Sequence, residues 1–174
     1  MNTMLSVAVL VLAAFCALNL ALILRLSKLV RERPAHNHSE AMVVGAPMPE
    51  VSMTTTQGST HTEEDLRQGP VLLGFFAPGC RPCHETLPEF VAAADAVTSS
   101  DGRALAIVSA YDNEDPEPML SQLRDHEVVM LSDPGSSLLT AFQVRAFPTV
   151  IRFESGKAVA TGHEAVKVPA PATR

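Results

Sequence analysis

Pro70 to Ala77 reads PVLLGFFA, a continuous apolar run closed by Pro78-Gly79 and followed at once by Cys80-Arg81-Pro82-Cys83. A run this short and this uniformly apolar predicts a strand covered on both faces, which places it in the middle of a sheet. The next segment, Cys80 to Val97, carries Leu87, Phe90, Val91, Ala94 and Val97 at intervals of three and four, the period of a helix that packs one face. Pro88 predicts a bend or local interruption of that helix. After Asp101-Gly102, Ala104 to Tyr111 (ALAIVSAY) predicts a second buried strand. Strand, helix and strand then form a right-handed βαβ unit with parallel strands.

The flanking segments predict shorter elements. Gly45-Ala46-Pro47-Met48-Pro49 marks the start of the folded part at Gly45, Val51, Met53 and Thr55 alternate weakly, and Thr62 before Glu63-Glu64-Asp65-Leu66 predicts a capped helical turn. Met119 to Leu123 predicts a short helix leading into a strand at Val128 to Leu131, and Ser136 to Phe142 one or two helical turns with Leu138, Leu139 and Phe142 inward. Pro148 to Phe153, the turn Glu154 to Lys157, and Ala158 to Gly162 predict a terminal hairpin. The proline-rich end at Val168 to Arg174 predicts a flexible tail, which we place at residues 164–174.

The N-terminus is of a different kind. Beyond a tail of residues 1–3, Met4 to Leu24 runs 21 residues without a charge, and as a helix it would rise about 31 Å, the hydrocarbon thickness of a bilayer. No basic side chain precedes it, so the segment predicts a retained single-pass transmembrane anchor in the lipid bilayer and not a cleaved signal peptide. Cys16 follows Ala13-Ala14-Phe15, where a bulky residue stands in place of the small one a lipoprotein signal would carry. Residues 25–44 read as a basic then polar tether, and His36 and His38 within it as linker and not as metal ligands. Arg25, Lys28, Arg31 and Arg33 directly after the span argue for a cytoplasmic C-terminal side.

The 174 residues allow one domain plus these appendages. The first 33 residues are net +3, leaving nine basic and eighteen acidic residues in the remainder, net −9. Such a domain is repelled by phosphate backbones, so nucleic acid is excluded as a partner.

Two of the three cysteines are the pair Cys80 and Cys83, at the strand-to-helix junction of the βαβ pattern. A helix starting near Cys80 directs unpaired N–H groups at that sulfur and favours its thiolate, and one turn brings Cys83 within disulfide reach. Cys80 is therefore the candidate nucleophile and Cys83 the resolving thiol. Arg81 adds positive field and Pro82 stiffens the first turn, both as tuning residues, while His84 and Glu85 are candidates for proton transfer. A structural disulfide or a zinc site completed by His84, His61, His126 or His163 is the competing reading, weakened by the lack of a second CxxC. No cofactor or bound metal is expected.

Phe75 to Pro88, FFAPGCRPCHETLP, resembles the active site of the thioredoxin-like superfamily, in the style of the membrane-anchored TlpA/ResA group of thiol-disulfide oxidoreductases. The resemblance runs from Gly45-Ala46-Pro47 through Pro88 to Val144-Arg145-Ala146-Phe147-Pro148-Thr149. It implies an α/β thioredoxin-like fold over residues 45–163, a central mixed sheet flanked by helices and preceded by one N-terminal transmembrane helix. It also implies that Pro148 is cis and faces the cysteine pair, presenting the Phe147 backbone to an extended substrate. Several positions depart from the family. Gly79 replaces the aromatic before the first cysteine, Gly74 stands where cytoplasmic thioredoxins bury a carboxylate, and Thr86 replaces a TlpA/ResA-type glutamate. Glu85 lies about 100° around the helix from that last position. The usual C-terminal helix is missing from the pattern, leaving one sheet face under-covered.

The implied activity is reduction of protein disulfides outside the cytoplasm, against the side argued by the basic residues, with electrons from a membrane redox donor of unknown identity. A role like cytochrome c biogenesis factors or MauD-type maturation proteins fits the same architecture. The alternative is a thioredoxin-fold binding or metal-delivery module without redox turnover; the peroxidase branch of the superfamily is disfavoured by the paired CRPC element.

Overall fold

The computed structural model describes residues 42–167 apart from 112, 113 and 134, together with residues 6, 7, 12, 15, 19 and 20. The chain divides into two units, Met1–Asn37 and His38–Arg174. In the first, the six described residues are helical and exposed, and Asn19 Nδ2 donates to Phe15 O at 3.0 Å. Otherwise the expected anchor Met4 to Leu24, the basic stretch and histidines behind it, and the tail from residue 168 lie outside the described residues. Among the described residues no helix is long and apolar enough to cross a membrane.

The second unit opens with a small antiparallel hairpin, β1 (Ser52–Thr54) and β2 (Thr60–Thr62), in the register Met53 opposite His61. Its loop contains Gly58 at φ +88°, a conformation that costs glycine little. The expected helical turn follows as α1 (Glu63–Leu66). Asp65 N–H donates to Thr62 Oγ1, and Asp65 Oδ2 accepts from Thr62 N at 2.9 Å, a reciprocal cap that satisfies the first turn. The strand at Thr60–Thr62 was not among the sequence expectations.

β3 (Val71–Phe76) is buried at every position and lies at the centre of a five-stranded sheet. α2 (Arg81–Thr98) crosses over to β4 (Arg103–Ser109), parallel to β3, and β5 (Glu127–Leu131) runs parallel to β4. β6 (Thr149–Glu154) is antiparallel to β3 on its other side and pairs with β7 (Lys157–Thr161), giving the order β5-β4-β3-β6-β7. This is the mixed sheet of a thioredoxin fold. Helical turns α3 (Glu117–Leu120), α4 (Ser137–Ala141) and α5 (His163–Val166) complete it. The helical backbone of α2 continues through Pro88, so the expected interruption is not seen; Pro88 is exposed, while Leu87, Phe90, Ala94 and Val97 are buried on the opposite face.

Alternation along β3 divides the core in two. Leu73 and Phe75 face one cluster with Leu105, Ile107, Phe142 and Phe153, and Leu72 and Phe76 face the other with Cys83, Leu87, Phe90 and Val108. In the second, the Phe76 and Phe90 rings meet edge to face with centroids 5.1 Å apart. Both boundaries of the folded part need correction. Met42 is buried in the first cluster, Gly45 N donates to Ala158 O at 2.7 Å and Met48 N to Gly156 O at 2.8 Å, so the domain begins by Met42 and not at Gly45. At the other end α5 occupies residues assigned to a tail: Ala165 is fully buried, and Arg152 Nη1 donates to Lys167 O at 3.0 Å. Among the described residues the C-terminal helix is thus a single turn, which packs Ala165 and Val166 against the second core cluster.

Candidate active site at the start of helix α2

β3 ends against the turn Ala77 to Cys80, closed by Cys80 N donating to Ala77 O at 3.1 Å. Cys80 is the N-cap of α2, with extended backbone (φ −96°, ψ 106°), and Pro82 sits within the first turn, where its missing N–H is not needed. Cys83 N donates to Cys80 O at 3.0 Å and to Cys80 Sγ at 3.2 Å, so the first cysteine's sulfur shares a donor of the helix N-terminus. Cys80 and Cys83 are joined as a disulfide with Cα atoms 5.2 Å apart. Cys83 is completely buried in the second core cluster, whereas Cys80 is half-buried. Of the two sulfurs, Cys80 is the one an incoming molecule meets.

Across from the pair, the Phe147-Pro148 peptide bond is cis, and Cys80 Sγ lies 3.5 Å from Phe147 O. Phe147 packs against both core clusters, and Thr149 Oγ1 donates to Ala146 O at 2.8 Å, tying the loop to the start of β6. Residues 67 apart in sequence are thereby brought together.

The other candidates are placed differently. Arg81 projects into solvent with its side chain 90% exposed and pairs with Glu85, Nε to Oε1, at 2.9 Å. Each of these charges is offset by the other at the surface. His84 Nε2–H donates to the Pro78 carbonyl at 2.7 Å, which braces the turn ahead of Cys80. Neither His84 nor Glu85 hydrogen-bonds a cysteine sulfur. Gly74 is hemmed in, since a Cβ there would come within 2.5 Å of both the Phe76 and Phe90 rings. The position of the cytoplasmic thioredoxin carboxylate is therefore filled by aromatic carbon.

One group near the site escaped the sequence reading. The carboxylate of Glu114, in the loop between β4 and α3, lies against Gly79, the residue before Cys80. The replacement of an aromatic by glycine at position 79 was the available signal, but nothing local connects it to residue 114. Among the described residues no group of three or more His, Cys, Asp or Glu side chains could hold a metal ion. His61 is bonded to Glu127 at 2.8 Å, and His126 lies 3.8 Å from Asp95, both away from the cysteines. A recess lined by Asp95, Asp101, Arg103, Asp125, His126 and Glu127 opens at the N-terminal ends of β4 and β5, the opposite end of the sheet from Cys80.

Solved structures share this architecture. The thioredoxin domain of a thiol-disulfide oxidoreductase from Bacteroides vulgatus superposes with a TM-score of 0.60 at 19% identity, covering 72% of this chain and 93% of that one. A thiol-disulfide oxidoreductase from Bacteroides fragilis gives 0.58 at 20% identity, covering 69% and 93%. The exposed lipoprotein thioredoxin of Streptococcus pneumoniae gives 0.51 at 26% identity, covering 65% and 87%. No curated protein matches the sequence significantly. A disulfide-forming pair at a helix N-terminus of a thioredoxin fold supports thiol-disulfide oxidoreductase activity. Residues 44–161 match the AhpC/TSA family model, and the chain belongs to that family.

Proposed function

We propose that the protein is a membrane-tethered thiol-disulfide oxidoreductase that reduces disulfides of proteins outside the cytoplasm. The observation that carries this reading is the asymmetry of the pair: Cys80 reachable and hydrogen-bonded by a helix N–H, Cys83 sealed in the core behind it. In the reduced protein, the Cys80 thiolate attacks a substrate disulfide and releases one substrate thiol. Cys83 then attacks Cys80 Sγ, releases the second, and leaves the Cys80–Cys83 disulfide, with two electrons passed to the substrate. A membrane donor returns them. An extended substrate segment bonded to the Phe147 backbone would bring its sulfur to Cys80, because Phe147 O is already 3.5 Å from Sγ. Pro82 holds the first turn, and Arg81 contributes little field through its pairing with Glu85.

Cys80→Ser abolishes reduction of a protein disulfide, and Cys83→Ser accumulates mixed disulfides with the substrate; equal activity in both variants overturns the reading. The apolar run Met4 to Leu24 supports the tether, and the likeness to the exposed lipoprotein thioredoxin supports the extracytoplasmic side. Arg25, Lys28, Arg31 and Arg33 argue against that side. A membrane-impermeant thiol reagent decides it: labelling of reduced Cys80 in intact cells is expected, and labelling only after permeabilisation moves the domain to the cytoplasm while leaving the exchange chemistry in place.

A further inference from the structure

Gly79 has no conformational reason to be glycine, since it is absent from the residues of positive φ. The space where a side chain would start holds the Glu114 carboxylate: an added Cβ would meet Glu114 Oε1, which would have to swing aside, and come within 3.3 Å of Glu114 Cδ. The loop from β4 thus lays a carboxylate over the backbone immediately before Cys80. Among the described residues, the other charged or titratable groups on the elements near Cys80 are already engaged. Arg81 pairs with Glu85, His84 donates to Pro78 O, Asp115 Oδ1 accepts from Glu117 N at 3.0 Å, and Arg145 has an interaction of its own.

We propose that Glu114 is a positioning residue that sets the redox bias of the Cys80–Cys83 pair, opposing the helix N-terminus by disfavouring negative charge on Cys80. The inference rests on the exchange chemistry proposed above and gives it a direction. A thiolate destabilised by a neighbouring carboxylate makes the reduced form less favourable, so the dithiol becomes the stronger reductant. With glutathione the exchange is balanced: the Cys80–Cys83 bond and two glutathione S–H bonds become two cysteine S–H bonds and one glutathione disulfide.

The test uses the full-length protein in detergent micelles, equilibrated with reduced and oxidised glutathione near pH 7 at low ionic strength. The pH midpoint of Cys80 alkylation is measured alongside. Glu114→Gln is expected to lower that midpoint and to shift the equilibrium about threefold to tenfold toward the dithiol, tenfold being about 30 mV. Glu114→Lys goes further in the same direction, and Glu114→Asp retains most of the wild-type behaviour. Gly79→Ala, by displacing the carboxylate, shifts the same way, and combined with Glu114→Gln adds nothing. At roughly 1 M salt, where the screening length is about 3 Å, the differences collapse. Wild-type values in Glu114→Gln at low salt, or an additive double variant, overturn this proposal while leaving the exchange reading intact. A wild-type protein that never equilibrates with glutathione overturns both.

Discussion

The two ends of the sheet treat buried surroundings in opposite ways. At the C-terminal end of β3, Cys83 is enclosed by Leu72, Phe76, Leu87 and Phe90, and the space beneath Gly74 is taken by ring edges. At the N-terminal ends of β4 and β5, His61 is only 7% exposed yet holds two polar partners, Glu127 Oε1 at 2.8 Å through Nε2 and Arg103 Nη1 at 3.4 Å through Nδ1. One tautomer satisfies both, with Nε2–H donating to the carboxylate and Nδ1 accepting from the guanidinium. The polar cluster ties β2 to β4 and β5, and the reactive end leaves its charges to the rim, where Glu114, Arg81 and Glu85 are exposed. In this chain, the buried histidine and its charged partners hold strands together, while the charges of the reactive end stay at the surface.

The sharpest way to break that contrast is to place a carboxylate where cytoplasmic thioredoxins have one. Gly74→Asp pushes a Cβ into two rings already 2.5 Å away and strands an acid among carbon. The expected loss is about 3 kcal/mol or more, combining overpacking with burial of an unpaired polar group. Urea unfolding measures it. Wild-type stability in this variant would mean that the Phe76 and Phe90 rings yield readily, and that the dryness around Cys83 is incidental. Phe90→Ala, by emptying the same face, is expected to cost about 3–5 kcal/mol.

At the other end, His61→Ala leaves Glu127 and Arg103 without their shared partner. A cost of about 1–3 kcal/mol is expected, since the hydrogen-bond partner is removed while the charged groups remain. The glutathione equilibrium of the cysteine pair should stay at its wild-type value, because the cluster lies at the far pole of the strands. A changed equilibrium would show the two ends to be coupled and dissolve the comparison.

How far the sequence could be read follows the same division between local and distant causes. β3 and β4 were legible as short continuous apolar runs and α2 by its helical period, and the cysteine pair because both sulfurs belong to one turn. The capped turn at Thr62 was legible because donor and acceptor are three residues apart. Pro148 alone reads as a proline at a strand start, and its cis bond came only through the family resemblance. Glu114 was invisible for a different reason: its neighbour Gly79 is 35 positions away, and an acidic, proline-bearing loop gives no hint of where it folds back. Met42 and Ala165 were assigned to tether and tail because single apolar residues beside polar or proline-rich stretches carry no periodicity. Only the finished sheet provides the surface that buries them. β2 was missed likewise, as three residues become a strand through pairing with β1 and not through any pattern of their own.

The smallest expected effect lies on the hairpin side of the His61 cluster and separates capping from packing. Asp65 is partly buried, and its carboxyl is held below the ordinary value of 3.8, first by the hydrogen bond from the Thr62 side chain and then by that from the Thr62 backbone. Arg103 and His61 add a lesser pull in the same direction, against a small opposing effect of desolvation. A carboxyl lowered on folding stabilises the native state at pH values above its unfolded value, about 3.9, and loses that contribution as the pH falls through its folded value. Asp65→Asn should therefore be less stable than wild type near neutrality, with the gap closing as the pH drops below about 4, because protonation does to the wild type what the substitution does permanently. Paired acid-unfolding curves measure this. A gap that stays constant below pH 3 would assign Asp65 a packing role independent of its charge, and would remove the His61 and Arg103 fields from the account of the cap.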